Sequence, residues 1–174
     1  MTTSDSTLAS TIKIEPMREA DWPAVAEVYR QGIESGHATF ETEVPSREAW
    51  DAHHLEAGRL VAREGNRVLG WAALSPVSDR CVYGGVAEVS VYVDAGARGR
   101  GVGRRLLEAL VEASEEAGIW TLQAGIFPEN EVSLAIHRAC SFRVVGRRER
   151  LGPLAGEWRD VILLERRSAT VGVG

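Results

Sequence analysis

The sequence of 174 residues predicts a mixed α/β fold. Several short stretches alternate apolar and polar residues in period two, as half-buried strands do, while longer stretches repeat apolar residues with the spacing of an amphipathic helix. Strand and helix patterns follow one another along the chain without an internal repeat or low-complexity tract, so they belong to one domain. A domain of this length buries roughly 70% of its unfolded surface, which is enough for a hydrophobic core.

Seven strands and four helices are expected, in the order βαα, βββ, α, β, α, ββ. The strands run from Thr11 to Glu15, Leu60 to Glu64, Val68 to Leu74, Glu88 to Val93, Ile119 to Ile126, Phe142 to Arg148 and Trp158 to Glu165. The helices run from Trp22 to Gly36, Ser46 to Gly58, Gly101 to Ala117 and Asn130 to Cys140. Asp21 and Ser46 are residue types that cap helix N-termini, and Gly65-Asn66 is a hairpin signal. The first four strands therefore form an antiparallel half.

The ends of the chain are predicted to lie outside the domain. Residues 1–10 are expected to be disordered, the domain to span residues 11–167, and residues 168–174 to form a loose tail. No apolar run reaches the roughly 18 residues that a membrane span needs, and the polar start lacks the regions of a signal peptide. We expect a soluble, cytoplasmic protein.

Charge and cysteine content argue against several classes of function. The net charge of -5 and the pI near 5.5 are not those of a general nucleic-acid binder, which needs a basic surface. Cys81 and Cys140 form no metal-spaced cluster, and His53-His54 has no third ligand nearby, so we expect neither a disulfide nor a metal site. The arginines from 143 to 150 are interpreted as the solvent face of a strand.

The stretch from Glu88 to Arg105 carries the strongest functional signal. Its first six residues alternate as a strand, and glycines at positions 99, 101 and 103 then precede an apolar pattern with helical spacing. A helix start presents unpaired backbone amides and a partial positive charge. Four arginines surround this one: Arg98, Arg100, Arg104 and Arg105. The stretch is interpreted as an anion site with phosphate as its expected ligand.

The glycine spacing distinguishes three phosphate-binding motifs. A Walker A loop needs Gly-Lys-Ser or Gly-Lys-Thr, which this sequence lacks. The dinucleotide fingerprint needs Gly-x-Gly-x-x-Gly after the first strand of a βαβ unit, whereas this chain has Gly-x-Gly-x-Gly in mid-sequence. The pattern that fits is Arg-x-x-Gly-x-Gly, met at Arg98, Gly101 and Gly103, and it resembles the acetyl-CoA loop of the GNAT acetyltransferases.

The resemblance to the GNAT superfamily implies a fold and a co-substrate. The implied fold is a mixed, mostly antiparallel seven-stranded sheet, flanked by four helices and splayed at the central strands. The implied co-substrate is acetyl-CoA, whose pyrophosphate meets the loop amides and whose pantetheine pairs with the free edge of the central strand; no metal is implied. The residues that the resemblance assigns to acetyl-CoA binding are Val91, Tyr92, Val93, Arg98, Gly99, Arg100, Gly101, Val102, Gly103, Arg104, Asn130 and Ser133.

A closer resemblance is to the phosphinothricin and methionine sulfone acetyltransferase branch. The motifs that carry it are Ala38-Thr-Phe-Glu-Thr, Glu88-Val-Ser-Val-Tyr-Val, Asn130-x-x-Ser133-x-x-x-His137 and Gly156-x-Trp158-x-Asp160-Val161. This branch implies a homodimer and an acceptor amine on a small amino acid or analogue, such as methionine sulfone, methionine sulfoximine or phosphinothricin. The residues implied around this substrate are Phe40, Arg80, Tyr83 and Tyr92.

Arg80 is expected to bind an acid group of the substrate. Ser78 and Val77 stand where branch members often carry a second basic residue. A substrate with one carboxylate and a neutral sulfone is therefore expected to be acetylated better than phosphinothricin.

The resemblance also implies catalytic roles. Glu88 is expected to remove the proton of the amine, directly or through water, and a backbone amide near Val91 or Tyr92 to polarise the thioester carbonyl. His137 is expected to protonate the departing thiolate, with a structural role as the alternative. Transfer is expected to be direct, in a ternary complex. Two other functions remain open: a protein, peptide or polyamine acetyltransferase, and a CoA-binding module without catalysis.

Overall fold

One seven-stranded sheet forms the centre of the computed structural model, which describes residues 11–174. The strands are β1 (Ile12–Pro16), β2 (Leu60–Glu64), β3 (Arg67–Pro76), β4 (Val86–Val93), β5 (Thr121–Ile126), β6 (Arg143–Leu154) and β7 (Glu157–Arg167). The helices are α1 (Trp22–Glu34), α2 (Arg47–His53), α3 (Val102–Glu116) and α4 (Glu131–Ala139). The expected element order and mixed α/β class are confirmed. The predicted disorder of residues 1–10 lies outside the described residues.

The sheet has the order β1-β2-β3-β4-β5-β7-β6 and is antiparallel except between β4 and β5. These two strands pair only at Val86, Ala87 and Glu88, although β4 continues to Val93 and β5 to Ile126. Beyond Glu88 the edge of β4 that faces β5 therefore has no strand partner in the described sheet. The splay at the central strands, implied by the resemblance, is confirmed.

Strand β3 is buried throughout its apolar run, because helices cover both faces of the sheet. Leu69 and Leu74 belong to the cluster that α3 completes with Leu106 and Leu110. Trp71 belongs to a second cluster, on the side of α1 and α2. A strand covered on both faces is apolar at consecutive positions, which explains why this run does not alternate.

Several strands and helices begin or end at residues other than the predicted ones. The β6–β7 hairpin is longer than expected, because its turn consists of residues 155 and 156, both with positive φ, as a two-residue hairpin turn requires. Helix α2 ends at His53 and does not reach residue 58. The predicted cap by Ser46 is confirmed, since its hydroxyl accepts from the Ala49 amide at 3.2 Å.

The predicted cap by Asp21 is wrong. Its carboxylate instead accepts from the Arg18 amide at 2.8 Å and from the Arg63 guanidinium at 2.7 Å. Asp21 is buried at this ion pair, so a partner 42 residues away in sequence holds its side chain.

The residues after β7 are held in place, contrary to the expected loose tail. The Arg167 guanidinium donates to the Ser168 and Val171 carbonyls, at 3.1 and 2.7 Å, and the Ser168 hydroxyl donates to Glu115 of α3 at 2.8 Å. None of the helices formed by residues 11–174 is long and apolar enough to cross a membrane. Within the same residues, no group of three or more His, Cys, Asp or Glu side chains is arranged to hold a metal ion.

Candidate active site

A cleft of about 880 Å³ lies where β4 and β5 diverge. The register of the strands places the floor of this cleft on one face of the sheet. The residue pairs that form the floor are Glu88 and Gln123, Gly125 and Leu163, and Val161 and Arg148. The segment 37–41 and the start of α4 form its walls. The cleft is therefore built by elements from both halves of the chain.

Glu88 lines this cleft as an exposed carboxylate next to the splay point. Its Oε2 atom accepts a hydrogen bond from the side-chain amide of Gln123 at 3.0 Å. The amide orients the carboxylate without neutralising it, so Glu88 can still accept a proton. Gln123 was not singled out from the sequence, although it is a polar residue inside the apolar run of β5.

Aromatic side chains line the cleft on two sides. Tyr92 stacks on Trp71 at 4.8 Å and contacts Tyr29 at 4.9 Å between ring centroids, and burial raises its pKa, so it remains a neutral phenol. Phe40 packs edge-on against Phe127 at 4.9 Å. Phe40 and Tyr92 are thus two of the four predicted substrate residues that the structure brings to the cleft.

The glycine loop after β4 has the geometry of an anion site. Gly99 and Gly101 have φ values of +76° and +75°, which residues other than glycine rarely adopt. A Cβ atom added at either position meets nothing within 4 Å, so the loop surface is open. No side chain of residues 11–174 caps α3, which leaves its first amides free for an anionic group such as a pyrophosphate.

Comparison with known proteins identifies the family of this fold and loop. Residues 18–142 match the family model described as "Acetyltransferase (GNAT) family". The chain belongs to this family. GNAT membership confirms the resemblance seen in the sequence and makes the chain an N-acetyltransferase, with acetyl-CoA as the co-substrate that its open glycine loop fits.

Named relatives of this GNAT protein include a phosphinothricin N-acetyltransferase of Alcaligenes faecalis, 36% identical over 91% of the chain and 82% of the relative. A methionine sulfoximine and methionine sulfone acetyltransferase of Pseudomonas aeruginosa is 29% identical over 84% of the chain and 88% of the relative. A solved phosphinothricin acetyltransferase of Sinorhizobium meliloti in complex with acetyl-CoA superposes with a TM-score of 0.82. That structure is 27% identical and covers 94% of the chain and 92% of its own length.

The arginines around the GNAT loop are less free than the sequence suggested. Arg100 donates to Glu64 at 2.6 and 3.1 Å, and Arg104 donates to Glu108 at 2.8 Å. In the described chain, no carboxylate pairs with Arg98. The Arg105 guanidinium donates to the Ile12 carbonyl at 2.9 Å, and no carboxylate of residues 11–174 pairs with it. Positive charge at the loop therefore comes from the helix terminus, Arg98 and Arg105 more than from four independent guanidinium groups.

Asn130 and Ser133 lie at the start of α4 and both line the cleft. The Asn130 Oδ1 atom accepts from the Ser133 amide at 3.2 Å, so Asn130 caps the N-terminus of α4. Its Nδ2 atom donates to the His37 carbonyl at 3.2 Å, which ties α4 to the segment 37–41. The Ser133 hydroxyl faces the cleft beside His137, at 3.4 Å from its Nδ1 atom.

His137 lines the cleft but is only 5% exposed. Because a carbonyl can only accept, the contact of 2.7 Å between Nδ1 and the Ser133 carbonyl assigns the proton to Nδ1. Burial lowers the pKa of His137, against the opposing effect of this hydrogen bond. The imidazole is therefore neutral near pH 7, with Nε2 as its acceptor nitrogen, and a neutral ring is a weak proton donor for a thiolate.

Arg80 and Tyr83, the other two predicted substrate residues, are not among the described residues that line the cleft. The connection after β3 folds into a 3₁₀ turn, Cys81–Tyr83, and there the exposed Arg80 guanidinium lies 5.6 Å from the Tyr83 ring centroid. Among the described lining residues, the one arginine or lysine is Arg148 of β6. From the sequence pattern, Arg148 was expected only on the solvent face of a strand.

Proposed function

We propose that this GNAT protein acetylates the amine of a small amino acid or amino-acid analogue by direct transfer in a ternary complex. The observation that carries the proposal is the position of Glu88. Glu88 is the last residue of β4 that pairs with β5, and the cleft and the free edge of β4 begin there. A carboxylate there can meet an acceptor amine on one side while the co-substrate occupies the other.

The acetyl-CoA half of the site is made mainly of backbone. When bound, acetyl-CoA supplies an activated acetyl thioester. The amides from Gly99 to Arg104 bind its pyrophosphate at the start of α3, and Arg98 adds a charge. The free edge from Val91 to Val93 binds the pantetheine amides, and an N–H group of this edge near Val91 or Tyr92 polarises the thioester carbonyl.

The acceptor half of the site depends on Glu88. Its carboxylate takes the proton of the amine directly or through a water molecule, and the Gln123 amide keeps it oriented during the transfer. The neutral state of His137 supports a positioning role: its Nδ1–H group secures the first turn of α4, which carries Asn130 and Ser133. The alternative, proton donation to the thiolate, is less well supported by the lowered pKa.

Direct transfer is favoured by the placement of the two cysteines. Cys81 lies in the 3₁₀ turn that also carries Arg80, and Cys140 follows α4. Neither belongs to the described lining of the cleft, and burial raises the pKa of Cys140, which lowers its thiolate fraction. An acetyl-cysteine intermediate therefore has no suitable nucleophile at the site.

The acceptor class is supported by the shape of the cleft and by the named activities of the relatives. The contact of Phe40 with Phe127 helps to close the cleft from the side of residues 37–41. The expected preference for methionine sulfone over phosphinothricin depends on Arg80, which is not among the described residues that line the cleft. Both compounds stay candidate acceptors.

A thiol-release screen tests this proposal across amino acids, their sulfone, sulfoximine and phosphinic analogues, polyamines and peptides. We expect acetyl-CoA-dependent release with amino acids or their analogues. Release with peptides or polyamines alone would assign the other acetyltransferase function. Tight acetyl-CoA binding without release for any amine would identify a non-catalytic module.

We also propose a homodimer that uses the β6 edge of the sheet. Val144 and Val145 of β6 are 43% and 45% exposed, and Trp158 of the adjoining β7 is 63% exposed. Within the described sheet, β6 has a partner on one side only. Exposed apolar residues on and beside an edge strand favour association with a second chain.

A further inference from the structure

The β6 strand contains a bulge at the end of the cleft. Arg148 pairs with Val161 and Gly152 pairs with Arg159, so between these two pairs β6 contains two more residues than β7. Arg150, inside the bulge, has a φ of +47°, a conformation that is costly for a residue other than glycine. Such a conformation persists only where surrounding contacts hold it.

Asp160 supplies the contacts that hold this bulge. One carboxylate oxygen accepts from the Arg150 amide at 2.8 Å, and the other accepts from Arg147 at 2.6 and 2.8 Å. These bonds lower the pKa of Asp160, first through the Arg150 amide and then through Arg147, so the carboxylate stays charged. Asp160 thereby holds the backbone at Arg150 and the side chain of Arg147, on either side of Arg148.

The bulge presents Arg148 to the cleft without an acidic partner. Arg143 and Arg147 of the same strand pair with Glu165 and Asp160. In contrast, no carboxylate among residues 11–174 lies within ion-pairing distance of Arg148. An unpaired guanidinium at a cleft is suited to bind a carboxylate or another oxyacid.

Negative charge at the same cleft comes from three carboxylates. Glu88 lies in β4, Asp79 follows β3, and Glu41 belongs to the segment 37–41. Glu41 lies near Tyr29, since burial first and then the Glu41 charge raise the pKa of that phenol. Glu88, where the acceptor amine is expected, and Arg148 therefore give the cleft charges of opposite sign on different strands.

Sheet geometry separates these two residues by more than the length of an amino-acid head group. Across the sheet, Arg148 of β6 lies three strands away from Glu88 of β4. Along the strands, Glu88 pairs with Gln123, and Gln123 pairs with Glu165. Glu165 is four residues from Val161, the residue that pairs with Arg148. In a flat sheet this is about 14 Å across and about 13 Å along the strands. Even after the lengths of both side chains are subtracted, this separation exceeds that between the ammonium and the carboxylate of one α-carbon.

We propose that Arg148 binds an acidic group at the end of the acceptor's side chain, and that Asp160 positions Arg148 by holding the β6 bulge. The inference rests on the proposed function in one respect, the location of the acceptor amine near Glu88. It makes Arg148 a specificity-determining residue for acceptors with an acidic side chain, in the place that the sequence had given to Arg80.

The first test compares Arg148→Gln with Arg143→Gln, a control that removes the same charge from the same strand outside the cleft. Glutamate and glutamine serve as acceptors because they differ mainly in the charge of the terminal group. Arg148→Gln should raise KM for glutamate about 10-fold and leave KM for glutamine within about 2-fold, with kcat little changed. Arg143→Gln should preserve the wild-type ratio. Equal effects of Arg148→Gln on both acceptors would overturn the proposal.

A binding measurement separates this inference from the proposed function. N-acetylglutamate and N-acetylglutamine are titrated into wild-type protein and both variants by calorimetry, in the presence of CoA. Wild type should bind the acidic compound more tightly, and Arg148→Gln should abolish the difference. If this holds while no amine is acetylated, the proposed function fails and the Arg148 site stands. Equal binding of both compounds by wild type would overturn the Arg148 site whatever the turnover.

Asp160→Asn tests the positioning role, because it keeps the size of the side chain but weakens the bonds to Arg147 and Arg150. We expect the same selective rise in KM for glutamate, with kcat for glutamine retained. A fall in kcat for both acceptors, with their KM ratio unchanged, would mean that Asp160 acts on general stability and not through Arg148.

Discussion

The acetyl-CoA site can be tested by comparing two substitutions in the glycine loop that have the same shape and differ only in charge. Gly101 precedes α3 and Gly118 follows it, with φ values of +75° and +78°. A Cβ atom added at either residue meets nothing within 4 Å, so substitution causes no collision at either end. Asn and Asp tolerate this left-handed region better than other residues with side chains. Gly101→Asn, Gly101→Asp and Gly118→Asp therefore form a matched set.

The expected size of each effect follows from this geometry. All three variants should lose about 1 kcal/mol of unfolding free energy from backbone strain, which lowers Tm by about 2–4 °C in a domain of this size. A carboxylate about 5 Å from each of two phosphoryl charges, in surroundings as polar as water, adds about 1.7 kcal/mol of repulsion. Gly101→Asp should therefore bind acetyl-CoA more than 10-fold more weakly than Gly101→Asn.

Calorimetric titration with acetyl-CoA measures the affinities, and thermal melting measures the stability of the same samples. Gly118→Asp should bind as wild type does, because the C-terminal end of α3 is remote from the loop. Raising the salt concentration should reduce the difference between Gly101→Asp and Gly101→Asn through screening. Equal affinities for these two variants, or an equal loss in Gly118→Asp, would refute the assignment of the loop to the pyrophosphate.

Three further predictions concern catalysis, pH and assembly. Glu88→Gln should reduce kcat by about 10² to 10⁴, as loss of a general base does, while Cys81→Ala and Cys140→Ala retain turnover; full activity of Glu88→Gln would remove it from the mechanism. The pKa of His137 is lower in the folded than in the unfolded state, so its contribution to stability is complete above about pH 6.5 and declines as the pH falls through the folded pKa. The Tm of wild type should accordingly fall more than that of His137→Gln between pH 7.5 and 5.5 in melting curves. Light scattering should report a dimer, and Trp158→Glu should shift it towards the monomer, whereas a monomeric wild type at micromolar concentration would contradict the proposed β6 interface.

The parts of the site that the sequence predicts are those whose cause is local. Positive φ at Gly99 and Gly101 follows from the residue type, and the helix after them follows from the apolar spacing that begins at Val102. Period-two alternation placed Glu88 on a strand, and Ser46 was recognised as a cap for α2. In each case the residues that determine the geometry lie within one turn or one strand.

The parts that the sequence missed depend on distant partners. The Asp21 carboxylate is held by Arg63, 42 residues away, which no capping rule includes. Arg148 lines the cleft beside a bulge that Asp160, on another strand, holds. The alternation of β6 alone gives no indication of this bulge, since its residues are mostly exposed and do not reveal which face is buried.

The two halves of the site should respond differently to substitution. The acetyl-CoA half uses backbone amides and the edge of β4, so a side-chain change alters it only where it disturbs the backbone, as at Gly101. The acceptor half uses side chains from segments 37–41 and 77–79, from β5 and from the β6–β7 hairpin, each supported by its own contacts. Arg148 lies three strands from Glu88, so exchanging it leaves the carboxylate and the glycine loop untouched. Acceptor preference can therefore change while acetyl-CoA affinity is conserved, and the ratio of KM values for acidic and neutral acceptors is the quantity that separates the two.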